Sequence, residues 1–102
     1  MSDREAIRAD LLDQLERNGT VGKHYTDLVE DYMRFWDVKT MLQEDIETRG
    51  VVVIHTHDRG TKTTKKNDSV TELVKVNDRM VKLLDAIGIK PADQGGGADD
   101  EM

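Results

Sequence analysis

The chain has 102 residues, a formal net charge of −6, 36% hydrophobic and 35% charged residues, and no cysteine. That length fits one domain with a modest core, and the missing cysteine excludes disulfide frameworks and thiolate chemistry. No apolar run approaches the roughly 20 residues of a membrane span, and the acidic, amphipathic start MSDREAIRADLLDQL is unlike a secretory signal, so an intracellular protein that meets no membrane is expected.

Ser2 and Glu5 have the spacing of a capping box, and Ile7, Leu11 and Leu15, with Leu12 beside them, repeat at helical intervals. The first helix is predicted at about 3–17, stopped by Asn18-Gly19. GTVG is a turn in which Thr20 can cap the next helix. That second helix is predicted at about 23–48, with an apolar stripe of Tyr25, Leu28, Tyr32, Phe35, Leu42 and Ile46, widened by Val29, Trp36, Val38 and Met41. Lys39 interrupts the stripe and can snorkel outward. All four aromatic residues lie between Tyr25 and Trp36, where the first and third helices are expected to pack.

The pattern changes after Gly50. Val51, Val52, Val53 and Ile54 are β-branched, HDRG (57–60) reads as a turn, and Thr61, Thr63 and Thr64 read as a polar return strand. A β-hairpin is therefore predicted at about 51–56 and 61–65. A lone two-stranded hairpin is marginal in water and needs cover from a helix or another copy.

A third helix is predicted at about 68–87, with Asn67, Asp68 or Ser69 as its cap and Gly88, Ile89 and Pro91 as its stop. Val70, Leu73, Asn77, Met80, Leu84 and Ile87 form a heptad seam, flanked by Val74, Val76, Val81 and Leu83. So much apolar circumference suits more than one neighbour, other subunits included, and Asn77 then reads as a buried register-setter between subunits. The candidate subunit contacts are Val51, Val53, Val70, Leu73, Asn77, Met80 and Leu84. The fold class is mainly α with a small β-hairpin: one helical domain over 1–91, then an unstructured acidic tail over 92–102.

Charge is uneven along the chain. Residues 1–48 carry net −6, residues 49–66 net +4, residues 67–90 are balanced, and residues 91–102 carry net −4. The whole-chain charge argues against simple nucleic-acid binding, but the basic segment can meet phosphates through Arg49, Arg59, Lys62, Lys65 and Lys66. The same lysines can equally serve to block edge-to-edge strand pairing.

Catalysis is not expected. Glu44, Asp45 and Glu47 sit on a polar helix face without a nucleophile or glycine-rich loop. His55 and His57 share a strand face, but a metal site needs a third ligand and the pattern supplies none. No metal and no cofactor are expected. The first helix, the GTVG turn and the second helix can also be read as a helix-turn-helix of a small transcriptional regulator or antitoxin. Asp27, Glu30 and Asp31 then stand where a DNA-reading face wants cations or amides. A purely structural helical assembly protein is a third reading.

The ordered set of features carries a resemblance. It comprises LVEDY (Leu28–Tyr32), IETRG (Ile46–Gly50), the short hairpin, and the helix headed KKND that ends in Leu83, Leu84, Ile87, Gly88, Ile89 and Pro91. Over roughly residues 25–91 this resembles the small subunit of the terminase of tailed double-stranded DNA phages. The resemblance implies a non-enzymatic packaging factor of the host cytoplasm that is not a structural part of the virion. It implies a homo-oligomeric ring that binds double-stranded viral DNA and recruits and regulates the large terminase subunit, an ATPase and nuclease. Flexible end segments of such subunits, here the acidic tail, can touch the large subunit. The chain departs from the family's pattern in being short and lacking a basic N-terminal DNA-reading domain, which favours the basic hairpin as the DNA contact.

Overall fold

A computed structural model describes residues 2–89. The elements are α1 (Asp3–Arg17), α2 (Lys23–Arg49), β1 (Val52–Thr56), β2 (Lys62–Lys66) and α3 (Asp68–Ile87). They follow the predicted order, with boundaries within one residue of those read from the sequence. Pro91 and the acidic tail lie outside the described residues.

The capping box at α1 forms in both directions: Glu5 N–H donates to Ser2 Oγ at 3.2 Å, and Ser2 N–H to Glu5 Oε1 at 3.3 Å. The start of α2 differs from expectation. Thr20 does not cap it; the cap residue is Gly22, at φ +127°, and no side chain caps the first turn. A Cβ at Gly22 would stand 2.9 Å from the His24 ring, so backbone and ring together demand glycine here. The end of α3 follows its stop signal. Gly88 is left-handed (φ +87°) and Ile89 N–H donates back to Leu84 O at 3.0 Å, closing the last turn.

Pairings between elements set the directions. Arg4 binds Asp37 at 2.7 Å and Arg8 binds Glu30 at 2.6 Å, so α1 runs antiparallel to α2. Ser69 binds Asp45 near one end of α2, while Ile87 joins Val29 in the core near the other, so α3 also returns antiparallel. The core is Leu11, Leu15, Val29, Met33 and Ile87, with Ile7, Leu12, Tyr25, Leu28, Tyr32, Trp36, Leu84 and Ile89 packed around it. The aromatic cluster thus lies where expected, with Phe35 on the flank shared with Val76 and Leu83 of α3.

Two details differ from the periodicity reading. Met33, outside the expected stripe, is fully buried. On α3 the inward stripe runs Val70, Leu73, Val76, Met80, Leu83, Leu84 and Ile87, of which Met80 and Ile87 are buried and the rest half-buried, so Val76 takes the inward position and Asn77 is exposed. A 3.6-residue period threads either neighbour into a stripe, and burying the valine avoids desolvating an amide.

The helices have unequal lengths. At about 1.5 Å per residue, the 15 residues of α1 reach only part way along the 27 of α2. Among the described residues the distal half of α2 has α3 as its only helical neighbour, with the hairpin at its end. That is why Val38 and Met41, assigned to the apolar stripe, are exposed (37% and 60%). Replacing Met33 with alanine is expected to cost about 2–5 kcal/mol by urea denaturation, whereas the same change at Met41 should stay within about 0.5 kcal/mol.

A basic hairpin on a polar junction

Asn67 is the one polar residue among the described residues that is fully buried, at 1% exposure. Its backbone N–H donates to Val51 O at 2.7 Å, which closes the base of the hairpin. Its side-chain oxygen accepts from Ser69 N–H at 2.9 Å, the N-cap bond of α3, and from Arg49 Nη2 at 3.1 Å. Its amide nitrogen donates to Gly50 O at 2.8 Å and to Asp45 Oδ2 at 3.1 Å. This one residue therefore ties three elements together: its backbone closes the base of the hairpin, and its side chain holds the end of α2 and the start of α3. All its polar atoms are partnered, the condition under which a buried amide stabilises rather than costs.

Asp45 is the second centre of this junction. It accepts a two-pronged contact from Arg49, at 2.7 and 2.9 Å, and a 2.6 Å bond from Ser69 Oγ. The Arg49 and Ser69 bonds hold its carboxyl far below the usual carboxylate range, against the opposing effect of desolvation. Arg49 is raised in turn, chiefly by Asp45. The carboxyls of Glu30 and Asp37 are likewise lowered, by Arg8 and Arg4 respectively.

The hairpin projects from this junction. Its register places Val52 opposite Lys66, Val53 opposite Lys65, Ile54 opposite Thr64, His55 opposite Thr63 and Thr56 opposite Lys62. Opposite residues share a face and alternate residues switch face. One face is therefore Val52, Ile54 and Thr56 beside Lys62, Thr64 and Lys66; the other is Val53 and His55 beside Thr63 and Lys65. Both are open to solvent, with Val53 alone half-buried. His55 and His57 stack edge-on at 4.5 Å, and His57 Nε2 shares a 3.0 Å hydrogen bond with Thr63 Oγ1. Among the described residues no three groups of metal-binding type come together.

The basic residues named from the sequence thus divide. Arg49 is engaged in the junction. Lys65 approaches Asp68 at 3.7 Å across an exposed pair. Arg59, Lys62 and Lys66 form no ion pair among the described residues, whereas all five arginines of α1 and α2 do. The proposed subunit contacts divide as well. Met80 is buried within the chain and Leu84 packs on its core; Val51 and Asn77 are exposed; Val53, Val70 and Leu73 are half-buried. The junction itself is absent from the sequence reading. Sequence alone marks Asn67 only as a cap, because partners 17 to 22 residues away leave no local signal.

Among the described residues the fold is three helices with a basic hairpin held at one end. Residues 5–98 match the family described as phage terminase, small subunit, and the chain belongs to that family. The match takes in α1 as well as the 25–91 region of the sequence resemblance. Comparison with curated proteins and with solved structures gives no match. No helix among the described residues is long and apolar enough to cross a membrane.

Asn67→Ala is expected to lower stability by about 1–3 kcal/mol in chemical denaturation, because it removes the α3 cap and leaves Gly50 O without its partner. The lowered carboxyls set the acid response. Their stabilisation is present above the ordinary carboxylate range, near pH 4, and is lost as pH falls through their depressed folded values. Thermal stability should fall below about pH 4, chiefly through Asp45, and Asp45→Asn should reduce that fall.

Proposed function

We propose that this chain is a non-catalytic packaging adaptor that contacts double-stranded viral DNA through its basic hairpin and presents it to the large terminase subunit. The observation that carries the DNA contact is the placement of charge. The arginines of α1 and α2 are paired with carboxylates, while Arg59 at the hairpin turn has no ion-pair partner among the described residues and Lys65 has only a 3.7 Å contact with the exposed Asp68, both on one exposed projection. Lysines and arginines presented this way bind phosphates without reading bases, which suits a factor that engages the duplex backbone. Family membership supports the packaging role over the regulator or antitoxin reading. The acidic face of α2, with Asp27 and Asp31 exposed or half-exposed and Glu30 held by Arg8, disfavours a helix laid in the major groove.

The adaptor works as a homo-oligomer, a ring in the family's pattern, in the host cytoplasm. Several copies then place several hairpins on one duplex. Contacts that are individually weak add up when they are joined in one assembly.

A chain carrying Arg59→Glu and Lys65→Glu is expected to bind duplex DNA more weakly at low salt. The slope of log affinity against log salt should fall by about 2 per subunit engaged, near 0.9 for each phosphate that is no longer neutralised. An unchanged slope, measured by fluorescence anisotropy, would remove the hairpin from the DNA interface.

A further inference from the structure

Beyond the reach of α1, the distal half of α2 and the first turns of α3 form an open groove of about 580 Å³. Ile46 and Leu73 give it an apolar floor; Glu44 and Glu47, with Thr40 and Gln43, give it an acidic and polar rim. Neither glutamate has an ion-pair partner among the described residues. The hairpin of the same chain does not fill this groove, since Val52 and Ile54 remain 56% and 68% exposed.

We propose that the groove receives the Val52–Ile54 face of the hairpin from a second copy of this chain. The two surfaces complement each other in kind and in charge. The groove is apolar with a negative rim, and this hairpin face is apolar with Lys62 and Lys66 along its second strand. Each surface taken alone places its own like charges together, so neither groove to groove nor hairpin to hairpin matches. The contact is therefore head-to-tail, and such contacts repeat from copy to copy until they close a ring or run on as a filament. The hairpin gains the cover that an isolated two-stranded sheet lacks. Its two faces then have different tasks: Lys62 and Lys66 face the neighbouring subunit, while Arg59 at the turn and Lys65 on the opposite face meet DNA.

This inference rests on the oligomeric part of the proposed function, and the test separates the two. Two charge-reversed chains are made, Glu44→Lys with Glu47→Lys and Lys62→Glu with Lys66→Glu, and mass is measured by multi-angle light scattering alongside wild type. Circular dichroism checks that each keeps wild-type helix content. Wild type is expected to be a multimer and each reversed chain alone to fall to a smaller mass. Their equimolar mixture should assemble again into a multimer in which the two chains alternate, because every hairpin then meets a groove of opposite charge. A single chain carrying all four substitutions should assemble as well. Wild-type mass in either reversed chain, or failure of the mixture to reassemble, overturns the proposed contact and leaves oligomerisation intact. A monomeric wild type overturns both.

Discussion

The buried amide of Asn67 is the constraint on which the rest depends. A hairpin of two five-residue strands with both faces open cannot hold its own position in water. Here its base is closed by Asn67 N–H on Val51 O, and the same residue caps α3 and grips the end of α2. Burying an amide is unfavourable unless its donors and acceptor are paired. Once paired, it allows one arrangement of three elements and disfavours others. Asp45 and Arg49 reinforce that choice with short charge-assisted bonds at the rim.

The helical body supplies a different kind of restraint. Its core is gathered at the end where α1, the first half of α2 and the end of α3 meet. The Arg4–Asp37 and Arg8–Glu30 pairs fix the α1–α2 crossing with bidentate geometry, although at more than one-third exposure each adds little stability. The other end has two helices and a hairpin, so it has more apolar surface than one chain covers. Val51, Val52, Ile54, Met41 and Val74 are all exposed there. The division of the molecule into a packed end and an incomplete end is the physical reason to expect neighbouring copies.

Much of the fold is legible in the sequence, because helix ends carry local chemistry. Ser2 with Glu5, Gly88 with Ile89, and the β-branched run from Val51 announce their elements. Family resemblance can likewise be read from the ordered set between Leu28 and Pro91. What stays hidden depends on contacts distant in sequence. Periodicity does not decide whether Val76 or Asn77 faces inward, since both fall within one helical stripe; the position of α2 does. Met33 is flanked by Tyr32 and Arg34 and gives no sign of being buried, until α1 and α3 close over it. From its neighbours in sequence Arg49 reads as phosphate-facing. Asp45, one turn earlier on α2, and Asn67, across the hairpin, take its guanidinium into the junction instead.

The Asn67 junction, rather than packing of the hairpin itself, holds the basic hairpin in place. Amide hydrogen exchange in an Asn67→Leu chain tests it most directly, since leucine keeps most of the volume and removes every polar bond of the side chain. Protection should be lost across residues 52–66 and in the first turn of α3 around Ser69 and Val70, while amides around Met33 and Leu15 keep theirs. Unchanged protection in the hairpin, or an equal loss throughout the helical body, would contradict that claim.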